Sequence, residues 1–83
     1  MKKYACPCCG NYTLPEFRIY DICPVCNWED DIVQFQDSNF EGGANEESLN
    51  QARINYRKYG AINKKYVKEV RKPLDIELPE NND

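Results

Sequence analysis

Two short segments, Cys6-Pro7-Cys8-Cys9-Gly10 and Cys23-Pro24-Val25-Cys26-Asn27, repeat one local pattern with 13 residues between Cys9 and Cys23. This duplication constrains the fold more than any other feature, because two Cys-x2-Cys turns bring four thiolates to the tetrahedral set that Zn²⁺ prefers. Three cysteines compete for the first pair, and the second copy decides between them. Pro7 aligns with Pro24, Cys9 with Cys26, and Gly10 with Asn27. Gly and Asn tolerate positive φ best, as the chain requires after such a turn. The expected ligands are therefore Cys6, Cys9, Cys23 and Cys26, with Cys8 in the place of Val25. Four protein sulfurs leave no position for water, so the expected site holds one structural Zn²⁺ per chain. A rubredoxin-like iron site uses the same turn chemistry but separates its pairs by a longer stretch. Four thiolates around Zn²⁺ carry a net charge of about −2, which disfavours a further thiolate beside them, so Cys8 reads as a small turn residue.

Size makes such a staple necessary. The chain has 83 residues, enough for one domain, and only 17 of them are Leu, Ile, Val or Phe. That is near the level of roughly one-fifth below which burial struggles to offset conformational entropy, and small scaffolds then add disulfides, a metal or a partner. The five cysteines are an odd number for a paired disulfide framework, which favours metal binding in a reducing compartment. No apolar run approaches the roughly 18 residues of a membrane span, and no signal-peptide segment precedes Cys6, so a cytoplasmic protein is expected. The chain has no histidine, which removes the commonest general base and the Ser-His and Cys-His nucleophile pairs. No catalytic constellation stands out, and a non-enzymatic role is expected.

The net charge of −3 conceals a segregation: residues 29–47 carry seven acids and no base, and residues 48–72 carry eight bases and one acid. The acidic stretch is expected to lie over the basic one. Phe17-Arg18-Ile19-Tyr20-Asp21-Ile22 has the β-branched and aromatic content of a strand with which Tyr4 and Ala5 can pair, and Ile32-Val33-Gln34-Phe35-Gln36 reads as a third strand. Residues 37–47 form a loop with Gly42-Gly43 as its softest point. Ser48 and Gln51 make a capping box before a helix over 49–59, whose Leu49, Ala52, Tyr56 and Tyr59 share a face, and Gly60 suits its C′ position. A shorter helix starts at an Asn63 cap, with Ile62, Tyr66, Val67 and Val70 apolar, and Pro73 ends it. Trp28 is expected to cover the metal site, and Glu29-Asp30-Asp31 to form a solvated acidic turn or a partner for the basic helix. The expected architecture is a small α+β fold: a zinc-ribbon-like, two-knuckle antiparallel sheet of about three short strands, followed by one or two C-terminal helices. Residues 1–73 make a single zinc-stabilised domain, and residues 74–83 an acidic, frayed tail.

The chain resembles the bacterial cysteine-rich CPCC family. The resemblance rests on Cys6-Pro7-Cys8-Cys9-Gly10, on Ile22-Cys23-Pro24-Val25-Cys26 with Trp28-Glu29-Asp30-Asp31, on Gly42-Gly43-Ala44-Asn45, on Ser48-Leu49-Asn50-Gln51-Ala52-Arg53 and on Tyr59-Gly60-Ala61. It covers residues 4–73 and departs at Asn27, where similar sequences often carry an aromatic residue. It implies zinc-ribbon-like metal binding in bacteria and no particular activity.

Three functions compete at this level. A closed metal site without a catalytic constellation suggests a zinc-stabilised module that binds another protein. The basic residues of 53–72 suggest nucleic-acid binding, opposed by the neighbouring acidic stretch. A thiol redox protein using one Cys-x2-Cys pair is disfavoured, because the chain is too short for a thioredoxin-like domain.

Overall fold

The computed structural model describes residues 2–82. Its sheet has two antiparallel strands, β1 (Tyr4–Ala5) and β2 (Tyr12–Leu14), which close the first cysteine turn into a small hairpin. Tyr4 pairs with Leu14 and Ala5 with Tyr12, so the register shifts and Thr13 is the extra, bulged residue. The second cysteine turn is closed by a single bridge between Ile22 and Glu29. The two turns are copies in detail. The carbonyl of Cys6 accepts from Gly10 N at 2.8 Å and that of Cys23 from Asn27 N at 2.8 Å, while Cys6 N donates to Asn11 O and Cys23 N to Trp28 O, both at 2.9 Å. Gly10 and Asn27 both take positive φ, 81° and 75°, the left-handed turn exit that their residue types permit.

The sheet is smaller than the expected three strands. Residues 17–22 are not a strand: Arg18 and Tyr20 have φ of 60° and 69°, which no ladder accommodates. The cause is Asp30, wholly buried, whose charge requires compensation. The backbone N–H of Arg18 donates to its carboxylate at 2.6 Å, and the Arg18 guanidinium adds contacts at 3.0 and 3.1 Å. The loop therefore coils around a carboxylate, and Phe17, Ile19, Tyr20 and Ile22 point into solvent despite their strand-forming character.

Residues 32–36 likewise depart from the expected strand and form the helix α1 (Ile32–Gln36). The carboxylate of Asp31 caps it, accepting from Val33 N at 2.7 Å and Gln34 N at 3.2 Å. The burial pattern is the reverse of an alternating strand: Gln34 is inside, while Ile32, Val33 and Phe35 are exposed. Gln34 Nε2 reaches the carbonyls of Phe40, Asn45 and Glu47, and its Oε1 accepts from Asn45 N at 3.1 Å and Asn45 Nδ2 at 2.9 Å. Asn45 in turn exchanges hydrogen bonds with the backbone of Glu29. This buried polar hub replaces hydrophobic packing as the organiser of the 37–47 loop.

The helix α2 (Leu49–Tyr59) runs over the expected residues, with Ser48 accepting from Gln51 N at its start and Gly60 left-handed at its end. Only half of the capping box forms, because Gln51 donates its side-chain amide to Asn55. Leu49 and Ala52 are buried and Tyr56 packs against the core, while Tyr59 is half-buried. Asn63 caps a 3₁₀ helix, Lys64–Glu69, in which Tyr66 packs inward and Val67 faces solvent.

Of residues 74–83, expected as a frayed tail, Asp83 lies outside the described residues and 74–82 include two 3₁₀ turns, Asp75–Glu77 and Pro79–Asn81. Glu77 is buried and takes the Arg71 guanidinium in a two-pronged pair at 2.8 and 2.9 Å. Nor does the acidic stretch cover the basic one. Asp30 serves Arg18, Asp31 caps α1 and Asp37 caps the turn at Asn39. Between the blocks, the described ion pair is Glu46–Lys65 at 2.8 Å, with Glu47 bonded to Asn63 beside it.

Candidate metal centre

The two knuckles place the sulfurs of Cys6, Cys9, Cys23 and Cys26 within 4.8 Å of one another. Cys6 lies 3.5 Å from Cys26 and Cys9 lies 3.7 Å from Cys23, so each close pair joins one turn to the other. Four sulfurs at about 2.3 Å from a tetrahedral ion stand roughly 3.8 Å apart. The cage thus has the size and the donor set for one metal ion, and all four sequence-derived residues are brought together. Cys8 is not part of the four-sulfur group, as the alignment of the turns requires.

Three of the four cysteines are buried and Cys9 is half-buried. Trp28 is fully buried in the same cluster, together with Leu14, Val25, Leu49, Ala52 and Ile62. A water-poor wall of this kind strengthens charge interactions and limits solvent access to the sulfurs. Hydrogen bonding to Cys23 pushes Cys6 and Cys26 far above the usual thiol range. Cys23, hydrogen-bonded first to Cys26 and then to Cys6 and Cys9, is pulled far below it. The phenol of Tyr56 is raised by burial and by the nearby Cys9.

One residue at the site was not singled out in the sequence. Thr13 Oγ1 lies 3.0 Å from Cys23 Sγ, and its side chain is buried. The β2 bulge aims it there, since bulges redirect a side chain out of the regular alternation. A lone Thr in a three-residue strand carries no such signal in sequence. Distant segments also hold the turns. Arg53 Nε donates to Pro7 O at 2.9 Å, Ile62 N to Cys26 O at 2.9 Å and Arg71 N to Pro24 O at 3.2 Å. The helix and the segments after it thus act as a clamp on both knuckles.

The acidic motif after the second pair is structural. Asp30 and Asp31 are buried, and their carboxylates hold the 17–22 loop, α1 and, through Ala44 N at 2.9 Å, the Gly42-Gly43-Ala44-Asn45 loop. This corrects the expectation of a solvated turn. Gly43 is required by close approach: a Cβ there would stand 2.7 Å from Asp31 Oδ2 and 2.8 Å from Gln34 Cδ.

Fold and site together define a small two-knuckle protein whose four clustered cysteines are positioned to bind a metal ion. The family model described as Cysteine-rich CPCC matches residues 4–77, and the chain belongs to that family. No curated protein matches the chain. Among the described residues, no helix is long and apolar enough to cross a membrane.

Proposed function

We propose that the chain is a cytoplasmic zinc protein whose metal is structural, and that it serves as a module for binding another protein. The observation that carries the reading is the closed cage: four cysteine sulfurs within 4.8 Å, walled by Trp28 and the core. Four thiolates satisfy the coordination number of zinc and leave no place for a substrate or a reactive water. Free thiols in such number fit a reducing compartment. What remains for function is the surface that the metal rigidifies.

Native mass spectrometry of the folded protein tests the first part, with one Zn²⁺ per chain as the expected result. Cys8→Ser retains the metal, while Cys9→Ser loses or weakens it. The opposite pattern would mean that the two turns have been aligned wrongly.

A further inference from the structure

We propose that the face built by the end of α2 and the Lys64–Glu69 helix is a docking groove for an acidic peptide segment carrying an aliphatic or aromatic anchor. This deepens the module reading above and rests on it. Two adjoining hollows of about 470 and 490 Å³ share Tyr59 and Val67 as their common floor. Lys58, Lys64, Lys65 and Lys68 line the first, and Arg57, Arg71 and Lys72 line the second. Val67 is 43 % exposed, an apolar side chain left uncovered in the middle of a cationic rim.

The cations there are largely uncommitted. Lys65 pairs with Glu46 and Arg71 with Glu77. Among the described residues, Arg57, Lys58, Lys64, Lys68 and Lys72 have no acidic partner within ion-pair distance and no side-chain hydrogen bond. In a protein of net charge −3, neither hollow is lined by an acid, so this face keeps a concentrated positive field that steers and selects anionic partners.

Charge alone suits a nucleic acid as well as a peptide, and three features favour the peptide. The apolar floor of Val67 and Tyr59 offers burial to a side chain, which a phosphate backbone does not use. Tyr59 and Tyr66 each carry a lysine over one face, with Lys58 Nζ 5.3 Å from the Tyr59 ring centre and Lys65 Nζ 5.2 Å from that of Tyr66, so the rings form no continuous row of bare faces for successive bases. The basic strip is also bounded: beyond Tyr66 lies a hollow lined by Glu29, Glu46 and Glu47, which repels a long polyanion but not a short segment.

The test is a displayed library of random 12-residue peptides selected on the full, zinc-loaded chain, followed by affinity measurement of the enriched peptides. Zinc content and a dispersed amide NMR spectrum, recorded first on the same sample, separate failure of the structural-zinc reading from failure of this one. The expected result is enrichment of acidic sequences with one or two Leu, Ile or Phe residues, and amide shifts confined to residues 57–60 and 64–72 on binding. Paired Lys64→Glu and Lys68→Glu substitutions, both at exposed positions, weaken binding about tenfold with zinc content unchanged. Val67→Ala weakens the anchored peptides while leaving an all-Glu peptide unaffected. Absence of enrichment, enrichment that survives the Lys→Glu pair, shifts mapping elsewhere, or a single-stranded oligonucleotide that binds more tightly than the selected peptides would each overturn the proposal.

Discussion

Thr13 shows how much a single hydroxyl can contribute beside a metal cage. At 3.0 Å from Cys23 Sγ, and buried, its hydroxyl can donate to a sulfur whose pKa is pulled below the usual thiol range, which stabilises negative charge where a metal bond needs it. Thr13→Val keeps the shape and removes the hydrogen bond. Outer-shell losses of this kind typically lower metal affinity by about 10–100-fold, and competition with a chromophoric chelator should show a drop in that range with the fold retained. Gly43 makes the complementary case for a residue with no side chain. A methyl group there would meet the Asp31 carboxylate and the Gln34 side chain, both fixed by hydrogen bonds and unable to withdraw. Gly43→Ala is therefore expected to cost about 1–3 kcal/mol, as overpacked sites do, read as a lower urea midpoint of the zinc-loaded protein.

At the scale of elements, signals that are local in sequence survive into the structure and those that depend on distant partners do not. The helix α2 was legible because its apolar spacing lies within it and its cap Ser48 and terminator Gly60 directly flank it. The knuckles were legible because they are written twice, down to the positive φ of Gly10 and Asn27. Residues 32–36 were not, because their β-branched content is outweighed by the Asp31 cap and by bonds from Gln34 to residues 6–13 positions away. The same holds for 17–22, whose shape is dictated by Asp30. The Asp31 cap yields a pH test. Burial pushes its carboxyl up, but the backbone N–H groups of Ala44, Gln34 and Val33 outweigh this and hold the pKa below the ordinary value. Since the folded pKa is depressed, its stabilising contribution is full above the unfolded value of about 3.9 and is lost as pH falls through the folded one. Asp31→Asn presents an N–H₂ group to the amide of Ala44, which the second carboxylate oxygen now accepts. The variant should be less stable by about 1–2 kcal/mol. In zinc-saturated buffer the gap between wild type and variant stays flat from pH 8 to pH 5, over the range in which the thiolates keep the metal. A gap that closes between pH 7 and pH 5 would show that Asp31 is not a charged cap.

For the whole molecule, the question is what holds together a chain whose exposed surface includes Phe17, Ile19, Ile22, Val33 and Phe35. Among the described residues, and apart from the cysteines, the buried apolar set is small: Leu14, Val25, Trp28, Leu49, Ala52, Ala61 and Ile62. All but Ala61 cluster around the sulfurs, so the core has no centre separate from the cage. The hydrogen bonds from Arg53, Ile62 and Arg71 to turn carbonyls also end on the knuckles, so the C-terminal segments depend on the same centre. A structural zinc contributes an apparent ~10–16 kcal/mol, whereas ordinary domains have a net stability of only ~5–15 kcal/mol. On the structural-zinc reading proposed above, removing the metal would leave four crowded thiols in a wall of apolar side chains, with nothing to offset the lost coordination. Chelation should therefore collapse amide NMR dispersion throughout residues 4–77 in one transition, α2 included, and stoichiometric Zn²⁺ should restore it. Acid should do the same, because protons compete for thiolates that the metal requires. A metal-free chain that keeps α2 and the 37–47 hub intact would show that the polar network around Gln34 and Asp31 is a folding unit in its own right, and that the cage only finishes a fold already formed.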